Sequence, residues 1–274
     1  MLACAVAEVL SPDHQITGAS HTEADITDEN VMRKALASAQ PDVVVNAAAF
    51  TDVDACETQQ KLAFRVNAEG PRNLAIICND LDIPLMHIST DYVFDGEKAE
   101  PYVEEDTPNP LSTYGRSKLE GEREVQRHLD RSWIVRVCGV FGPHRNNFVS
   151  LVVELGKKGQ PLRIVKDQRL APTYTFDAAA GIGRILRRGP YGLYHLTNQG
   201  FTSRMDFASE ILRQAGLDGV PVTAISSGET GRPAARPRNS QLENARLKRE
   251  GIELLPTWQD AVRRYLSQLS TENH

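Results

Sequence analysis

Val43-Val44-Val45-Asn46-Ala47-Ala48, placed just after Pro41, reads as a continuous apolar strand. Runs of this kind suit a sheet covered on both faces. Upstream, Asp28 can cap a helix that continues to about Ala39, where Pro41 stops it. Leu2 to Leu10 reads as a helix and Gln15 to Gly18 as a weak strand. Downstream, a helix near Ala63 and another from Pro71 to Cys78 lead to a strand from Pro84 to Ser89. Ser112 to Leu129 reads as a long polar-faced helix, and Trp133 to Phe141 as another buried strand. This β-α-β alternation predicts an α/β fold built on a Rossmann-like doubly wound parallel sheet. Ligands of such sheets sit outside the carboxyl ends of the strands, so chemistry is expected right after Ala48, Ser89 and Phe141.

The pattern is less regular after Gly142. Phe148 to Leu155 reads as a helix, and Leu162 to Val165 and Tyr194-His195-Leu196 as short strands. Gly228 to Asn239, rich in Gly, Pro and Arg, reads as an ordered loop. Thr257 to Leu269 is an amphipathic helix with Trp258, Val262, Tyr265 and Leu269 near one face. The 274 residues suffice for a full core, and 41% hydrophobic with 24% charged residues excludes disordered and fibrous classes. A net charge of -5 carries no basic footprint for nucleic acid, so the expected partner is a small molecule. Met1 to Leu10 is too short for a bilayer and a poor signal peptide, and no later stretch is a membrane candidate. Cys4, Cys56, Cys78 and Cys138 are scattered, with no C-x-x-C pair, which argues against a metal site or disulfide framework. They are expected to be reduced, mostly buried thiols of a cytoplasmic protein.

Tyr114-Gly115-Arg116-Ser117-Lys118 carries the chemistry, with Ser89-Thr90-Asp91 upstream. Tyr114 and Lys118, four residues apart, share one helix face. A phenol's pKa of about 10 makes it a reluctant proton-transfer group, and a neighbouring ammonium is expected to bring it down. Tyr114 could then give a proton to a ketone oxygen as hydride reaches its carbon, while Thr90 holds that oxygen and Lys118 holds the nicotinamide ribose. A Y-x-x-x-K pair alone recurs by chance on exposed helices; its place between strands ending Ser-Thr-Asp and Phe-Gly-Pro is what selects it here.

His87-Ile88-Ser89-Thr90-Asp91-Tyr92-Val93-Phe94-Asp95-Gly96 resembles the signature segment of the dTDP-4-dehydrorhamnose reductases, extended short-chain dehydrogenases/reductases. So do Asn46-Ala47-Ala48-Ala49-Phe50-Thr51 with Val53-Asp54, Val66-Asn67-Ala68, Asn146-Asn147-Phe148, Asp167-Gln168, Ala171-Pro172-Thr173-Tyr174 and Arg236-Pro237-Arg238-Asn239-Ser240, in the right order and to the last helix. The resemblance implies NAD(P)H-dependent reduction of the C4 ketone of dTDP-4-dehydro-L-rhamnose. It implies catalytic roles for Thr90, Tyr114 and Lys118. Ser20, Asp25, Ile26, Ala47, Ala48, Ala49 and Asn67, with Tyr114 and Lys118, would line the cofactor. Thr51, Asp91, Tyr92, Asn147, Arg236 and Asn239 would meet the sugar nucleotide. Asp91 could equally cap a turn, Tyr92 could be core, and Arg236 with Arg238 could be surface charge; His87 reads as a packed strand residue. Residues 1–148 with about 168–200 would form the nucleotide-binding domain, and about 149–167 with 201–274 a smaller α/β substrate-binding domain. A homodimer stays open, and no metal ligand is assigned.

Three departures accompany the resemblance. The family opens with a strand and a Gly-rich loop for the pyrophosphate, whereas Met1-Leu2-Ala3 aligns just inside that loop, leaving on the order of a dozen residues unmatched. An upstream segment beyond a misassigned start and a genuine truncation are the two explanations. Ser20 stands where an acidic residue usually holds the adenosine ribose, which is expected to remove repulsion against a 2′-phosphate and so to favour NADPH, with NADH tolerated. Gly139 replaces a frequent bulky aromatic and Leu170 a glycine, leaving the exact sugar open. Two other readings stand beside the reductase: epimerisation or dehydration of a nucleotide sugar, and a non-catalytic module like the regulatory subunit of methionine adenosyltransferase.

Overall fold

The computed structural model describes residues 1–271. Residues 272–274, the end of the expected substrate-binding segment, lie outside the described residues. The chain begins with α1 (Leu2–Leu10) and α2 (Glu29–Ala39), the latter capped by the Asp28 carboxylate accepting from Val31 N. β1 (Val44–Asn46), α3 (Val53–Thr58) and α4 (Gln60–Phe64) follow. A π-helical turn, Arg65–Glu69, runs into α5 (Gly70–Asp80), and β2 (Leu85–Thr90) ends in a 3-10 turn, Asp91–Val93. Next come α6 (Thr113–His128), β3 (Ser132–Val137), β4 (Val140–Phe141), α7 (Phe148–Lys157) and β5 (Leu162–Val165). After β6 (Arg169–Leu170), β7 (Thr173–Tyr174), α8 (Thr175–Arg188), β8 (Gly192–His195) and β9 (Thr202–Ser203) lie α9 (Arg204–Gln214), β10 (Val222–Ile225), α10 (Ala245–Arg249) and α11 (Trp258–Thr271).

β1, β2, β3 and β8 form a parallel sheet in that order. Their alternating side chains divide between two layers, as a pleat requires. Met86, Ile88, Trp133, Val135 and Val137 pack with α1 and α8, whereas Leu85 and Ile134 pack with α2, α5 and α6. Helices on both faces make the sheet doubly wound, as expected. A third core joins α7, α9 and α11 around Phe141, Val152, Phe207, Trp258, Val262 and Tyr265, with Leu269 packed on its margin. β5 and β10 pair parallel beside it.

Four sequence expectations change. Gln15 to Gly18 forms no strand: it is exposed and has no ladder partner among the described residues. The run from Trp133 to Phe141 is two strands, because Gly139 takes a left-handed φ of 53° and Leu170 Cδ1 fills the space where its Cβ would stand. α8, α9 and β10 were not anticipated. Much of the polar face of α6 is buried: Lys118 and Glu122 meet the sheet, Ser117 meets Asn67, and Glu124 meets Arg72 of α5.

Candidate active site

β2 delivers Thr90 to the carboxyl edge of the sheet, where the chain turns away. The Thr90 hydroxyl lies 2.9 Å from Asp91 Oδ1 and accepts from Tyr92 N at 3.2 Å. The first turn of α6 is fixed from two sides. Ser112 caps it by accepting from Gly115 N, and the Glu57 carboxylate accepts from Thr113 N and Oγ1. A Cβ on Gly115 would stand 2.1 Å from the Tyr92 carbonyl oxygen, so only glycine lets the helix approach this closely. Tyr114 is thereby set edge-on to Tyr92, ring centroids 5.7 Å apart, with Thr90 among the neighbours of its phenol.

Lys118, one turn further on, is fully buried. Its Nζ donates to Ile88 O at 2.7 Å and lies 3.3 Å from His87 Nε2. This corrects the expected electrostatics. Burial pushes the Tyr114 phenol up, Asp91 pushes it further, and only Thr90 draws it down. The Lys118 head group is committed to the strand instead, and burial pushes its pKa down to about 8. Behind it, Glu122 and Arg136 form a buried ion pair, and Ser89 donates to the same carboxylate. His87 is indeed packed within the sheet, wholly buried and with its pKa lowered by burial and by Lys118.

Beyond Thr90 and Tyr114, cations gather around Tyr92. Asp54, at the start of α3, holds Arg236 through two bonds of 3.1 and 2.9 Å and also accepts from Ala234 N, which shapes the 231–239 loop. Arg236 is also an electrostatic neighbour of the Tyr92 phenol. Arg204, which the sequence reading left unassigned, stacks 4.6 Å from the Phe148 ring centroid. Tyr92, Cys138, Asp91 and Arg232 are its electrostatic neighbours, and among the described residues it has no carboxylate ion pair. A signal existed: Arg204 opens α9, the helix end where a cation is disfavoured. Thr51 is exposed and accepts from Arg145 Nη1 at 3.3 Å. Asp91 is buried among Thr90, Cys138 and Ser240, and its pKa is raised by burial. Asn147 and Asn239 have their polar atoms engaged already. Asn147 caps α7 and donates to Gly142 O and the Tyr265 hydroxyl, while Asn239 donates to Lys98 O and Glu100 O.

On the other side of the sheet edge, Ala47 and Ala49 are half-buried and Ala48 is exposed. Asn67 holds the Phe50 backbone by both N–H and C=O and reaches Ser117 on α6 at 3.0 Å. Asp25 accepts from Thr27 N, and Ile26 packs against Gly70. The Ser20 hydroxyl and amide both donate to Glu23, so a carboxylate stands at this turn after all and the expected loss of repulsion does not follow. The donor set suits a dinucleotide: the Lys118 amine and Tyr114 phenol at one end, and small alanines packed near α1, whose first turn carries no side-chain cap, at the other.

The model of the RmlD substrate binding domain matches residues 1–271. The chain belongs to this family. Within it, the chain is 39% identical to a dTDP-4-dehydrorhamnose reductase of Streptomyces griseus, over 90% of this chain and 83% of that protein. A crystal structure of a dTDP-4-dehydrorhamnose reductase from Clostridium acetobutylicum is 38% identical and superposes with a TM-score of 0.95, over 98% of this chain and 96% of its own. The Bacillus anthracis dTDP-4-dehydrorhamnose reductase, solved in complex with NADP, is 32% identical with a TM-score of 0.91, over 96% and 95%. The family resemblance carried by the Ser89–Asp91 and Tyr114–Lys118 segments thus extends over the whole described RmlD-type fold.

Proposed function

We propose that this chain is an NAD(P)H-dependent oxidoreductase that reduces the C4 ketone of dTDP-4-dehydro-L-rhamnose to the alcohol of dTDP-L-rhamnose. The observation that carries the reading is the convergence of Thr90, at the carboxyl end of β2, with the buried Tyr114 phenol of the first turn of α6, with Lys118 buried one turn below. The nicotinamide supplies a hydride when bound. Tyr114 gives its proton to the ketone oxygen; its raised pKa keeps that proton in place through the neutral range. Thr90 holds the same oxygen. Asp91, whose pKa burial raises, accepts from the Thr90 hydroxyl at 2.9 Å and so fixes the orientation of Thr90. Arg204 and Arg236, flanking Tyr92, suit the diphosphate of a sugar nucleotide, with Thr51 on the rim. Asn147 and Asn239 serve this site by holding the loops around it. NADPH is the favoured cofactor, on the strength of the relative solved with NADP and not of the Ser20 turn, and NADH an accepted one; Ser20, Asp25 and Ile26 would lie at the adenosine end, with Ala47, Ala48, Ala49 and Asn67 along the sheet edge. No helix among the described residues is long and apolar enough to cross a membrane, and the free thiols agree with a cytoplasmic enzyme.

The test is NADPH oxidation with dTDP-4-dehydro-L-rhamnose. Tyr114→Phe should lower kcat by about 1000-fold, as loss of a general acid does, with NADPH binding intact. Full activity in Tyr114→Phe, or no ketone reduction by a chain that binds NADPH, would overturn the assignment.

A further inference from the structure

The carbonyl and amide groups beneath Lys118 form a directed chain. Asn46 and His87 are registered neighbours on β1 and β2, both buried. Asn46 Oδ1 accepts from Ala48 N at 3.0 Å. A backbone N–H can only donate, so it fixes which amide atom of Asn46 faces it. Asn46 Nδ2 therefore faces His87 Nδ1, 3.1 Å away, as donor. That leaves Nδ1 without a proton and places the neutral imidazole's proton on Nε2. His87 Nε2 in turn stands 3.3 Å from Lys118 Nζ. An ammonium has three donors and no acceptor, so it cannot receive this N–H; an amine can, while still donating to Ile88 O at 2.7 Å.

We propose that His87 is a positioning residue that docks Lys118 as an uncharged amine in the ligand-free chain, and that Lys118 takes up a proton and turns from His87 when the cofactor binds. The proposal rests on the reading of Thr90, Tyr114 and Lys118 as a reductase centre. In the step, the amine nitrogen forms one new N–H bond with a proton from solvent, and nothing is oxidised or reduced. The resulting ammonium repels the Nε2–H and is drawn to acceptors in the cleft, the ligand's hydroxyls and the Tyr114 oxygen among them. The groups around Lys118 leave it free to change charge. On its own helix Tyr114 keeps its proton, and Glu122, paired with Arg136 of β3 and bonded by Ser89 of β2, favours the ammonium but is outweighed by burial. From β1 comes Asn46 and from the π-helical turn Asn67, both uncharged. Burial, which holds the Lys118 pKa at about 8, keeps the two forms close in free energy, so the docked amine is the majority form above that pH and the ammonium below it.

Two measurements test this. Nitrogen-15 NMR of histidine-labelled, ligand-free protein should find His87 protonated on Nε2 and bare on Nδ1; a proton on Nδ1 overturns the proposal. Calorimetry of NADPH binding near pH 8.5, in two buffers of different ionisation enthalpy, should report uptake of about three-quarters of a proton per site if Lys118 returns to its ordinary pKa. Binding without proton uptake also overturns it. In Asn46→Asp the carboxylate accepts from Nδ1–H, so Nε2 becomes an acceptor, Lys118 is charged beforehand and the uptake should vanish. Uptake that persists unchanged in a folded Asn46→Asp protein refutes the directed chain. Failure to bind NADPH at all would count against the reductase reading, and the histidine tautomer then decides this proposal by itself.

Discussion

Gly115→Ala separates close packing from helix propensity, because the two predict opposite signs. Alanine in place of glycine ordinarily stabilises a helix by up to about 1 kcal/mol. Here the added methyl would meet the Tyr92 carbonyl oxygen at 2.1 Å and Pro110 Cβ at 2.9 Å. Neither atom can rotate away, one being backbone and the other part of a ring. Restoring ordinary contact requires α6 to retreat by about 1 Å, at the overpacking cost of about 1–3 kcal/mol. The retreat carries Tyr114 away from Thr90 and loosens its edge-on contact with Tyr92. A displacement of about 1 Å at the reacting groups costs on the order of 100-fold in rate. The expectation is a kcat/KM for ketone reduction lowered about 100-fold and a lower melting temperature, with Arg123→Ala, an exposed partner of Glu120 on the same helix, close to wild type in both. A Gly115→Ala protein that melts higher and keeps its activity within about threefold would refute the reasoning.

Three further outcomes follow from the geometry. Arg204→Gln should raise the KM for the sugar nucleotide by about 10-fold or more while leaving NADPH affinity unchanged, since the lost cation faces Tyr92; steady-state kinetics with both ligands varied checks it. Glu23→Gln should shift the ratio of kcat/KM for NADPH over NADH upward by about fivefold, because it removes a carboxylate from the Ser20 turn; equal ratios in the two proteins would mean that this turn does not meet the adenosine ribose. His195 is buried with its pKa lowered to about 3 by burial and by Arg136, so the unfolded chain binds a proton that the folded chain refuses. Stability from this group is complete above the unfolded pKa of about 6.5 and falls with pH below it, by about 1 kcal/mol between pH 7 and 5.5. Urea unfolding at the two pH values should show that loss in the wild type and less of it in His195→Gln.

The central sheet was legible because its strands lie between helices on both faces. Val43 to Ala48 and Pro84 to Ser89 stand out as largely apolar runs between helix signals, and both form strands; Leu162 to Val165, with Arg163 exposed, forms a strand outside that sheet. The capping carboxylate of Asp28 was equally local. Local reading failed where a distant neighbour decides the outcome. Nothing near Gly139 announces that Leu170 will occupy its Cβ position and split one strand into two. Gln15 to Gly18 alternates like a strand, yet a strand exists only by pairing, and this segment has no partner among the described residues.

The candidate site divides along the same line. Thr90 and Tyr114 could be paired on paper, since one lies at a strand end and the other in the first turn of the next helix. What Lys118 does could not, because spacing of i and i+4 shows which face a side chain leaves from and not what lies across from it. The strands opposite α6 carry Asn46, His87, Ser89 and Arg136 at alternate positions, so the layer between helix and sheet is polar where an amphipathic reading expects an apolar stripe. In sequence these residues are scattered over 90 positions and each looks like an interruption in its strand. Together they account for a polar helix face that is buried rather than solvated: Glu122 meets Arg136 and Ser89, and Lys118 meets His87 and the Ile88 carbonyl. A buried charge without such partners would cost several kcal/mol, so a helix with Lys and Glu on its inner face requires polar residues inside strands. Polar residues at alternate positions of an otherwise apolar strand, set opposite a Y-x-x-x-K helix, are therefore the pattern that points from sequence to the second layer of such a site.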